Sequence, residues 1–405
     1  MFSDMMVGQK MSSISITVKL GLAGTLAVAI ALGIGRFAYT PILPYMQSEL
    51  GLSSTQLGAL ASWNFFGYLI GSLTPLLIPV IQIKQRRSFF IALSTSIITT
   101  GLMGVSYNLI SLTIIRFIAG VSSALTLIIG TGILFKKFEV LESSRFKLSH
   151  FCGFGVGIVI SAIAVPMASK FGFNWSSQWL IMALICCCLA IPVLIFMPAD
   201  SSKLETVVET IISTDHSSLS FSLVAIGYGL FGIGYIIFGT FISAMSTEMS
   251  QLGLLNDYVW LTVGISATPS VFIWQKLSDV IGKDLSLSLA CLSSAFGVFC
   301  AVHFATFNTL IFGCALFGCG MPGIVALALL EGKNRYSGSL TSAVAILTLS
   351  FSFGQMLGPF LAGILIDRIG NYYFAMQISV VCLFFSGVFM VNPQRLLRLL
   401  KNKLV

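Results

Sequence analysis

The stretch GIGRFAYTPILPYM, from Gly33 to Met46, lies late in a long apolar run and contains one arginine and two prolines. A weaker copy, GIGYIIFGTFISAM from Gly232 to Met245, follows 199 positions later. The two copies share Gly-Ile-Gly at the start and Met at the end. Because this offset is close to half of the 405 residues, the repeat predicts a chain built of two related halves.

The composition predicts an integral membrane protein. Hydrophobic residues make up 56% of the chain and charged residues only 9%, whereas about a quarter of the residues in a soluble protein are charged. Apolar runs of eighteen or more residues recur along the whole sequence. Runs of this length predict α-helices that cross the hydrocarbon core of a bilayer, which is about 30 Å thick.

Twelve such runs predict twelve transmembrane helices in an all-α fold. They lie near residues 20–46, 56–78, 88–106, 109–134, 149–168, 179–197, 221–245, 258–277, 285–304, 308–330, 340–366 and 372–391.

The long polar stretch at 198–220 divides these runs into six plus six. We therefore expect an N-terminal six-helix bundle over 1–197, a cytoplasmic linker over 198–220 and a C-terminal six-helix bundle over 221–405. The two bundles would be pseudo-symmetric, and the second would end in a basic cytoplasmic tail.

The net charge of +8 is distributed on one side of the predicted membrane. If the N-terminus is cytoplasmic, 18 of the 22 lysines and arginines fall in inner segments, with Lys170 and Arg368 outside and Arg36 and Arg116 inside spans. This bias predicts that both termini are cytoplasmic. It favours contact with anionic lipid and gives no reason to expect a nucleic-acid partner.

Glycine and proline in the repeat predict local helix geometry. Pro41 and Pro44 are expected to bend the outer end of the first helix, because each removes a backbone donor. Small residues let two helices approach closely. The glycines expected at such contacts are Gly33, Gly35, Gly153, Gly155, Gly157, Gly232 and Gly234.

Two arginines inside predicted spans are the first candidates for function, because charge within a bilayer is costly. Arg36 lies about 25 Å along the first helix from Lys19, and Arg116 lies about 10 Å from the outer end of the fourth. Both would lie in the outer half and favour an anionic or carbonyl-rich substrate. Alternatively, they could snorkel or bind backbone carbonyls freed by nearby Gly and Pro. Arg36 aligns with Tyr235, so the repeat breaks at this position.

Aromatic and amide side chains in the spans extend this candidate site. The buried amides of Asn64 and Gln355 need hydrogen-bond partners, and contacts between helices would satisfy them as well as a ligand would. The residues expected to line the substrate site are Arg36, Tyr39, Asn64, Arg116, Tyr228, Tyr235 and Gln355.

The sequence lacks the residue patterns that metal binding, ATP binding and catalysis inside a membrane require. No carboxylate lies in the middle of a span, the nine cysteines lack the spacing of a metal site, and no Gly-rich loop ending in Lys-Ser/Thr is present. We therefore expect no cofactor, no metal, no ATP-driven step and no enzymatic activity. Proton relays remain open at Glu49, Asp367 or one of the three histidines.

The segment WQKLSDVIGKD, Trp274 to Asp284, resembles the cytoplasmic signature of major facilitator transporters, with matches at Leu277, Asp279, Gly282 and Lys283. The first half lacks the corresponding aspartate, so the resemblance implies a single inner latch. By pseudosymmetry Asp279 is expected near the start of span 5, close to Arg145, Lys147 and His150. The residues expected to serve gating are Pro41, Pro44, Asp279, Gly282, Gly358 and Pro359.

A second segment, RFIAGVSSA, is similar to the span-4 signature of the same transporters. Arg116, Gly120 and Ala124 match it, while Ala119 replaces the usual glutamine. The resemblance implies that Arg116 takes part in proton or substrate coupling. The antiporter signature of span 5 is not reproduced by GFGVGIVISAIAVP, which disfavours a drug antiporter.

At closer range, residues 32–73 and the segment GQMLGPFLAGILIDRIG resemble the YbfB/YjiJ-like branch of bacterial permeases. The resemblance implies a secondary transporter of a small molecule in a bacterial inner membrane, which works by alternating access, coupled or not to protons. We expect it to act as a monomer. A non-transporting receptor or scaffold built on the same fold is the alternative.

Overall fold

The computed structural model describes residues 16–78, 84–141, 148–198, 219–248, 257–304, 306–336 and 340–391. Regular secondary structure in these ranges is helical, and twelve helices lie within a few residues of the positions predicted from the apolar runs. They are α1 (Ile16–Leu50), α2 (Ser54–Leu77), α3 (Gln85–Met103), α4 (Leu109–Val140), α5 (Cys152–Lys170), α6 (Trp175–Phe196), α7 (Leu219–Glu248), α8 (Asp257–Ala267 and Ser270–Ile281), α9 (Lys283–His303), α10 (Phe307–Arg335), α11 (Leu340–Ile369) and α12 (Tyr373–Met390).

Nine of the helices in the described ranges are long and apolar enough to cross a membrane. The other three are α2, α3 and α8. Helix α8 is divided into pieces of 11 and 12 residues, and α3 begins with Gln85, Arg86 and Arg87. For these three helices the membrane crossing stays a prediction, and so does the count of twelve spans.

Side chains cap several helices at the end that the charge bias places outside. Ser53 and Gln56 form a capping box at the start of α2, in which each side chain accepts a hydrogen bond from the other residue's backbone N–H. Asn108 and Asn174 cap α4 and α6 in the same position. Such caps satisfy backbone donors that have no partner within the helix. They define where these helices begin.

The helices of the two halves meet in pairs that the repeat relates to one another. Helix α2 packs against α11, α5 packs against α8, and α1 packs against α7. A shift by six helices exchanges the first two pairs and maps α1 onto α7. Contacts of this kind are expected when two similar bundles face each other across a pseudo-twofold axis. Most of the predicted linker, 199–218, lies outside the described residues.

Helix α1 is irregular in its middle. A π-helical segment, Ala29–Ile34, is followed by a turn at 35–38, and a regular helix resumes at Tyr39–Leu50. Pro41 therefore falls in the first turn of the resumed helix, where a missing N–H costs little, and Pro44 lies inside it. This irregularity precedes both prolines. It therefore lies a few residues earlier in the chain than the bend that the prolines predicted.

Close helix contact accompanies this irregular segment. A Cβ atom placed on Gly33 would lie 2.5 Å from the Cα atom of Gly157 on α5. A Cβ on Gly153 would meet the carbonyl oxygen of Thr25 well inside van der Waals contact. These glycines let α5 cross α1 closely, as the repeat and the span-5 glycines predicted.

Candidate functional site

Arg36 lies in the turn that interrupts α1 and is 4% exposed. Its guanidinium carbon lies 4.8 Å from the ring centre of Phe65 and 4.1 Å from that of Tyr68, both on α2. Rings hold a cation through the negative charge of their faces. The Nε and Nη2 atoms of Arg36 are buried and have no hydrogen-bond partner among the described residues.

The two partnerless nitrogens of Arg36 form one edge of the planar guanidinium group. Two parallel N–H bonds from such an edge match the two oxygens of a carboxylate. A buried donor that makes no hydrogen bond costs about 1–3 kcal/mol, and more when it is charged. The arrangement therefore suits an anion, and the described part of the chain places no carboxylate there.

Tyr235, the counterpart of Arg36 in the repeat, lies beside it in space. The Tyr235 side chain interacts electrostatically with the Arg36 guanidinium, and its hydroxyl accepts a hydrogen bond from Nε2 of Gln355 on α11. The other amide atom of Gln355, Oε1, is buried without a hydrogen-bond partner in the part of the chain described. Three predicted residues, from α1, α7 and α11, thus meet at one point.

A row of aromatic rings leads away from this point. Tyr228 and Phe231 on α7 and Phe351 on α11 continue the line that begins at Tyr235. The rings of Tyr228 and Phe351 are stacked with centres 4.5 Å apart, and those of Tyr235 and Phe351 are 5.7 Å apart. The row is apolar in character with hydroxyl groups at two positions.

A cavity of about 560 Å³ lies between the two halves at the end of this row. Tyr68, Tyr228 and Phe351 line it near Arg36, and Ser72, Thr131 and Thr348 contribute hydroxyl groups farther away. The lining comes from the second part of α2, α4 and α10, from the first part of α7 and α11, and from Gln85 and Phe151. By the predicted topology, this is the cytoplasmic half of the protein.

Arg116 on α4 makes a different set of contacts and is 1% exposed. Its Nε donates to the Leu60 carbonyl at 3.3 Å and its Nη1 to the Gly35 carbonyl at 3.4 Å. Its guanidinium carbon lies 4.6 Å from the ring centre of Tyr39. Arg116 therefore connects α4 to α2 and to the irregular part of α1. This matches the carbonyl-binding alternative.

Tyr39 and Asn64 belong to the same group as Arg116. The Tyr39 hydroxyl donates to the Leu57 carbonyl at 2.8 Å, and Nδ2 of Asn64 donates to the Arg116 carbonyl at 2.9 Å. These three residues are not among those that line the cavity. The structure thus divides the seven predicted lining residues into an Arg36 group and an Arg116 group, and direct substrate contact by the second stays a prediction.

The predicted lining did not include four aromatic residues of the site, which are Phe65, Tyr68, Phe231 and Phe351. Tyr68 lies four positions after Asn64, so the helical repeat places it on a neighbouring part of the same face of α2. That spacing could have identified it. Phe351 is one of 33 phenylalanines, and nothing in the local sequence separates it from Phe353, which is 54% exposed.

Polar contacts join the two halves at the ends that the charge bias places outside. The Asp367 carboxylate of α11 accepts hydrogen bonds from the backbone N–H groups of Ser54 at 2.9 Å and Thr55 at 2.7 Å, at the start of α2. Lys170 at the end of α5 forms a 3.0 Å ion pair with Asp257 at the start of α8. Both contacts connect the first half to the second half.

The predicted gating residues occupy two places. The carbonyl oxygen of Pro359 would be met by a Cβ placed on Gly58, and Gly358 faces Ile236, so both lie where α11 contacts α2 and α7. Gly282 joins α8 to α9 with a φ of 90°, which favours glycine. Asp279 is exposed on α8.

Of the three residues expected near Asp279, the structure describes His150. Arg145 and Lys147 lie outside the described residues. His150 is buried, and its Nε2 lies 3.0 Å from the Thr131 hydroxyl on α4. The latch role of Asp279 therefore stays a prediction.

Known proteins resemble this chain in sequence and in fold. A family model described as "Uncharacterised MFS-type transporter YbfB" matches residues 28–391. Two crystal structures of the nucleoside transporter NupG are similar to the fold, each with a TM-score of 0.70. They cover 93% of this chain and 97–98% of their own, at 13–14% sequence identity. At this identity the likeness shows the fold alone.

Two curated relatives from Saccharomyces cerevisiae match parts of the chain. Vacuolar basic amino acid transporter 5 is 29% identical over 116 residues, which is 28% of this chain and 20% of that protein. Azole resistance protein 1 is 26% identical over 158 residues, or 38% of this chain and 26% of that protein. The matched part thus spans between 20% and 26% of the length of these relatives.

Proposed function

The chain belongs to the YbfB-type family of major facilitator transporters, and from this premise we propose that it is a secondary carrier of a small organic anion. The observation that carries the proposal is the Nε–Nη2 edge of Arg36, which has no hydrogen-bond partner among the described residues and is buried beside a cavity between the two halves. A cation or a neutral apolar solute would leave these donors without partners. An anion would satisfy both of them.

Alternating access is supported by the different state of the two ends. At the outer end, Asp367 bonds to the start of α2 and Lys170 pairs with Asp257. At the opposite end of the molecule, the cavity separates residues of α2 and α4 from residues of α7, α10 and α11. This combination is what a carrier closed to the outside and accessible from the cytoplasm would show. The transport cycle would then rock the N-terminal bundle, 1–197, against the C-terminal bundle, 221–405.

We place the carrier in a bacterial inner membrane as a monomer with both termini in the cytoplasm. The support is the charge bias, with 18 of 22 basic residues on one side if the N-terminus is cytoplasmic. Arg116, Tyr39 and Asn64 would support the site without contacting the substrate. Their hydrogen bonds fix the positions of α4, α2 and the irregular part of α1 relative to one another.

The proposal is tested with purified full-length protein in two steps. Thermal stabilisation is first measured against matched sets of small carboxylates, neutral solutes and amines, for the wild-type chain and for Arg36→Gln. Carboxylates should stabilise the wild-type chain and lose this effect in the variant. Stabilisation by neutral solutes or amines alone, or by carboxylates equally in both chains, would contradict the anion site.

Transport is then measured by counterflow of a stabilising carboxylate in proteoliposomes. Exchange that requires Arg36 supports a carrier, whereas binding without exchange contradicts one. An imposed pH gradient applied to the same vesicles identifies the driving ion. Accumulation above equilibrium would assign proton coupling, and equilibration alone would assign facilitated diffusion.

A further inference from the structure

The aromatic rings between the cavity and Arg36 have a common orientation. Tyr228, Phe231 and Tyr235 follow one another at the i, i+3 and i+7 positions of α7, which share a helix face. Phe351 of α11 lies within 4.5–5.8 Å of all three ring centres. The angles between the ring planes in this set are 5–16°.

Most other aromatic pairs among the described residues are not parallel, although the rings of Phe151 and Phe154 are, at a centre distance of 6.4 Å. The rings of Phe296 and Phe312 are inclined by 85° and those of Trp63 and Phe117 by 78°. Edge-on and offset-stacked contacts are both favourable for aromatic pairs, so packing alone does not require four parallel rings. Parallel rings present flat faces that point the same way, and another flat group can stack on such a face.

Tyr68 provides the opposite boundary of the same space. It comes from α2 of the first half and lines the cavity together with Tyr228 and Phe351. Its ring also covers the Arg36 guanidinium at 4.1 Å. A ligand that enters from the cavity therefore meets Tyr68 before it reaches Arg36.

We propose that the transported anion is a planar aromatic carboxylate. Its ring would stack against Tyr228 and Phe351, and its carboxylate would displace Tyr68 and bind the Nε–Nη2 edge of Arg36. A cavity of about 560 Å³ has room for a ligand of one or two fused rings. The inference rests on the proposed anion carrier, and it adds the shape and aromatic character of the substrate.

The test compares 2-naphthoate with decahydro-2-naphthoate, which have the same carbon skeleton and carboxylate and differ in planarity and aromaticity. Affinities come from the concentration dependence of thermal stabilisation of the purified full-length protein. We expect 2-naphthoate to bind at least about fivefold more tightly, which corresponds to ~1 kcal/mol at 25 °C. Substitution Phe351→Leu keeps an apolar side chain and removes one stacking surface, so the preference should fall below about twofold.

The matched control is Phe353→Leu on the same helix. Phe353 is 54% exposed, whereas Phe351 is 7% exposed. The control should keep the wild-type preference for 2-naphthoate. A loss of preference in both variants, or in neither, would overturn the assignment of the stacking surface to Phe351. The melting temperature of each unliganded variant shows separately whether it is folded.

The remaining outcomes separate this inference from the proposed function. Equal affinity for the two acids, abolished for both by Arg36→Gln, overturns the aromatic inference and leaves the anion carrier in place. The same holds if hexanoate or succinate stabilises the protein and neither bicyclic acid does. If no carboxylate of this set stabilises the protein, both proposals fall.

Discussion

The hydroxyl of Thr40 donates a 2.6 Å hydrogen bond to the carbonyl of Gly239, and these two residues are 199 positions apart. The same offset aligns Gly33 with Gly232, so Thr40 and Gly239 are counterparts in the two halves. Elements related by a twofold axis can touch their own counterparts only at that axis. The pseudo-twofold axis therefore passes between α1 and α7 at this hydrogen bond.

Arg36 and Tyr235 are also counterparts, one helical turn before Thr40 and Gly239. Their interaction places the candidate site on the same axis. The two halves supply similar backbones there and different side chains, a guanidinium from α1 and a phenol from α7. A site on the axis can contact both halves at once, which is what a carrier that rocks about a central substrate requires.

We expect Thr40→Val to weaken the contact between α1 and α7. Valine has nearly the shape of threonine and lacks the hydroxyl, so one buried hydrogen bond worth about 1 kcal/mol is lost. The melting temperature of the purified protein should fall by on the order of 2 °C. Thr40→Ser keeps the donor and is the control. An unchanged melting temperature in Thr40→Val would mean that this hydrogen bond contributes nothing to the interface.

Arg36 should reduce stability while it serves binding. Arg36→Met removes a buried charge with two partnerless donors and keeps an unbranched side chain, so the folded state should gain about 1 kcal/mol after loss of the ring contacts. The melting temperature should rise and carboxylate binding should disappear. Arg36→Lys keeps the charge without the fork, and its affinity should fall by about tenfold or more. A fall in the melting temperature of Arg36→Met would show that this arginine is structural.

Loss of Arg116 should lower stability more than it lowers the affinity for a carboxylate, which is the reverse of the expectation for Arg36. Arg116→Met leaves the carbonyls of Gly35 and Leu60 without their present donors, which costs about 1–3 kcal/mol. The melting temperature should fall, and the affinity for a carboxylate should change less than in Arg36→Met. Equal loss of affinity in both variants at unchanged stability would instead support the prediction that Arg116 binds substrate.

The sequence predicts helix positions well here because apolar runs and their polar interruptions set the ends of each helix. It does not predict the π-helical segment of α1 or the interruption of α8 at residues 268–269. The π-helical segment lies where Gly33 contacts Gly157 of α5. Because these two glycines are far apart in the chain, the contact depends on the tertiary structure. Local propensity carries no information about such a crossing.

The site was predictable to the extent that charge in a membrane is conspicuous. Arg36 and Arg116 were predicted on that basis, and the structure gives them different partners. Arg116 contacts carbonyls of α1 and α2, whereas two nitrogens of Arg36 have no partner among the described residues. Phe351 carried no signal, because an aromatic residue in a span is equally suited to lipid, packing or ligand.

The outer contact between Asp367 and α2 should be stronger than the ion pair between Lys170 and Asp257. The carboxylate bonds to two N–H groups at a helix start, where the helix dipole also favours negative charge. Lys170 is 59% exposed, and solvent screens its attraction to Asp257. Asp367→Asn should therefore open the outer ends more than Lys170→Gln does.

This difference can be measured by distances between spin labels at Ser48→Cys and Ile369→Cys, which are exposed residues of opposite halves near the outer ends. The labels require a chain in which the nine native cysteines are replaced. Asp367→Asn should increase the population at longer distances, and Lys170→Gln should change it little. The reverse order would assign the outer closure to the ion pair.

Glycine allows a close contact between α2 and α11 at the end that the charge bias places outside. A Cβ on Gly58 of α2 would meet the carbonyl oxygen of Pro359 on α11, and a Cβ on Gly363 would meet the carbonyl oxygen of Ser54, both well inside van der Waals contact. The atoms that are met belong to the backbone and cannot rotate away. Gly58→Ala should therefore separate α2 from α11, at a cost of about 1–3 kcal/mol in the arrangement that the structure has.

If the carrier alternates, this cost changes the balance between its two states without unfolding it. The spin-label distance between positions 48 and 369 should lengthen in Gly58→Ala. The melting temperature should change little, because the two bundles stay folded while they separate at this end. Gly101→Ala on α3 is the matched control, because a Cβ there would meet Ala183 at 3.4 Å, an ordinary contact. A lower melting temperature at an unchanged distance would show that the α2–α11 contact is fixed packing, and would argue against a gate at this position.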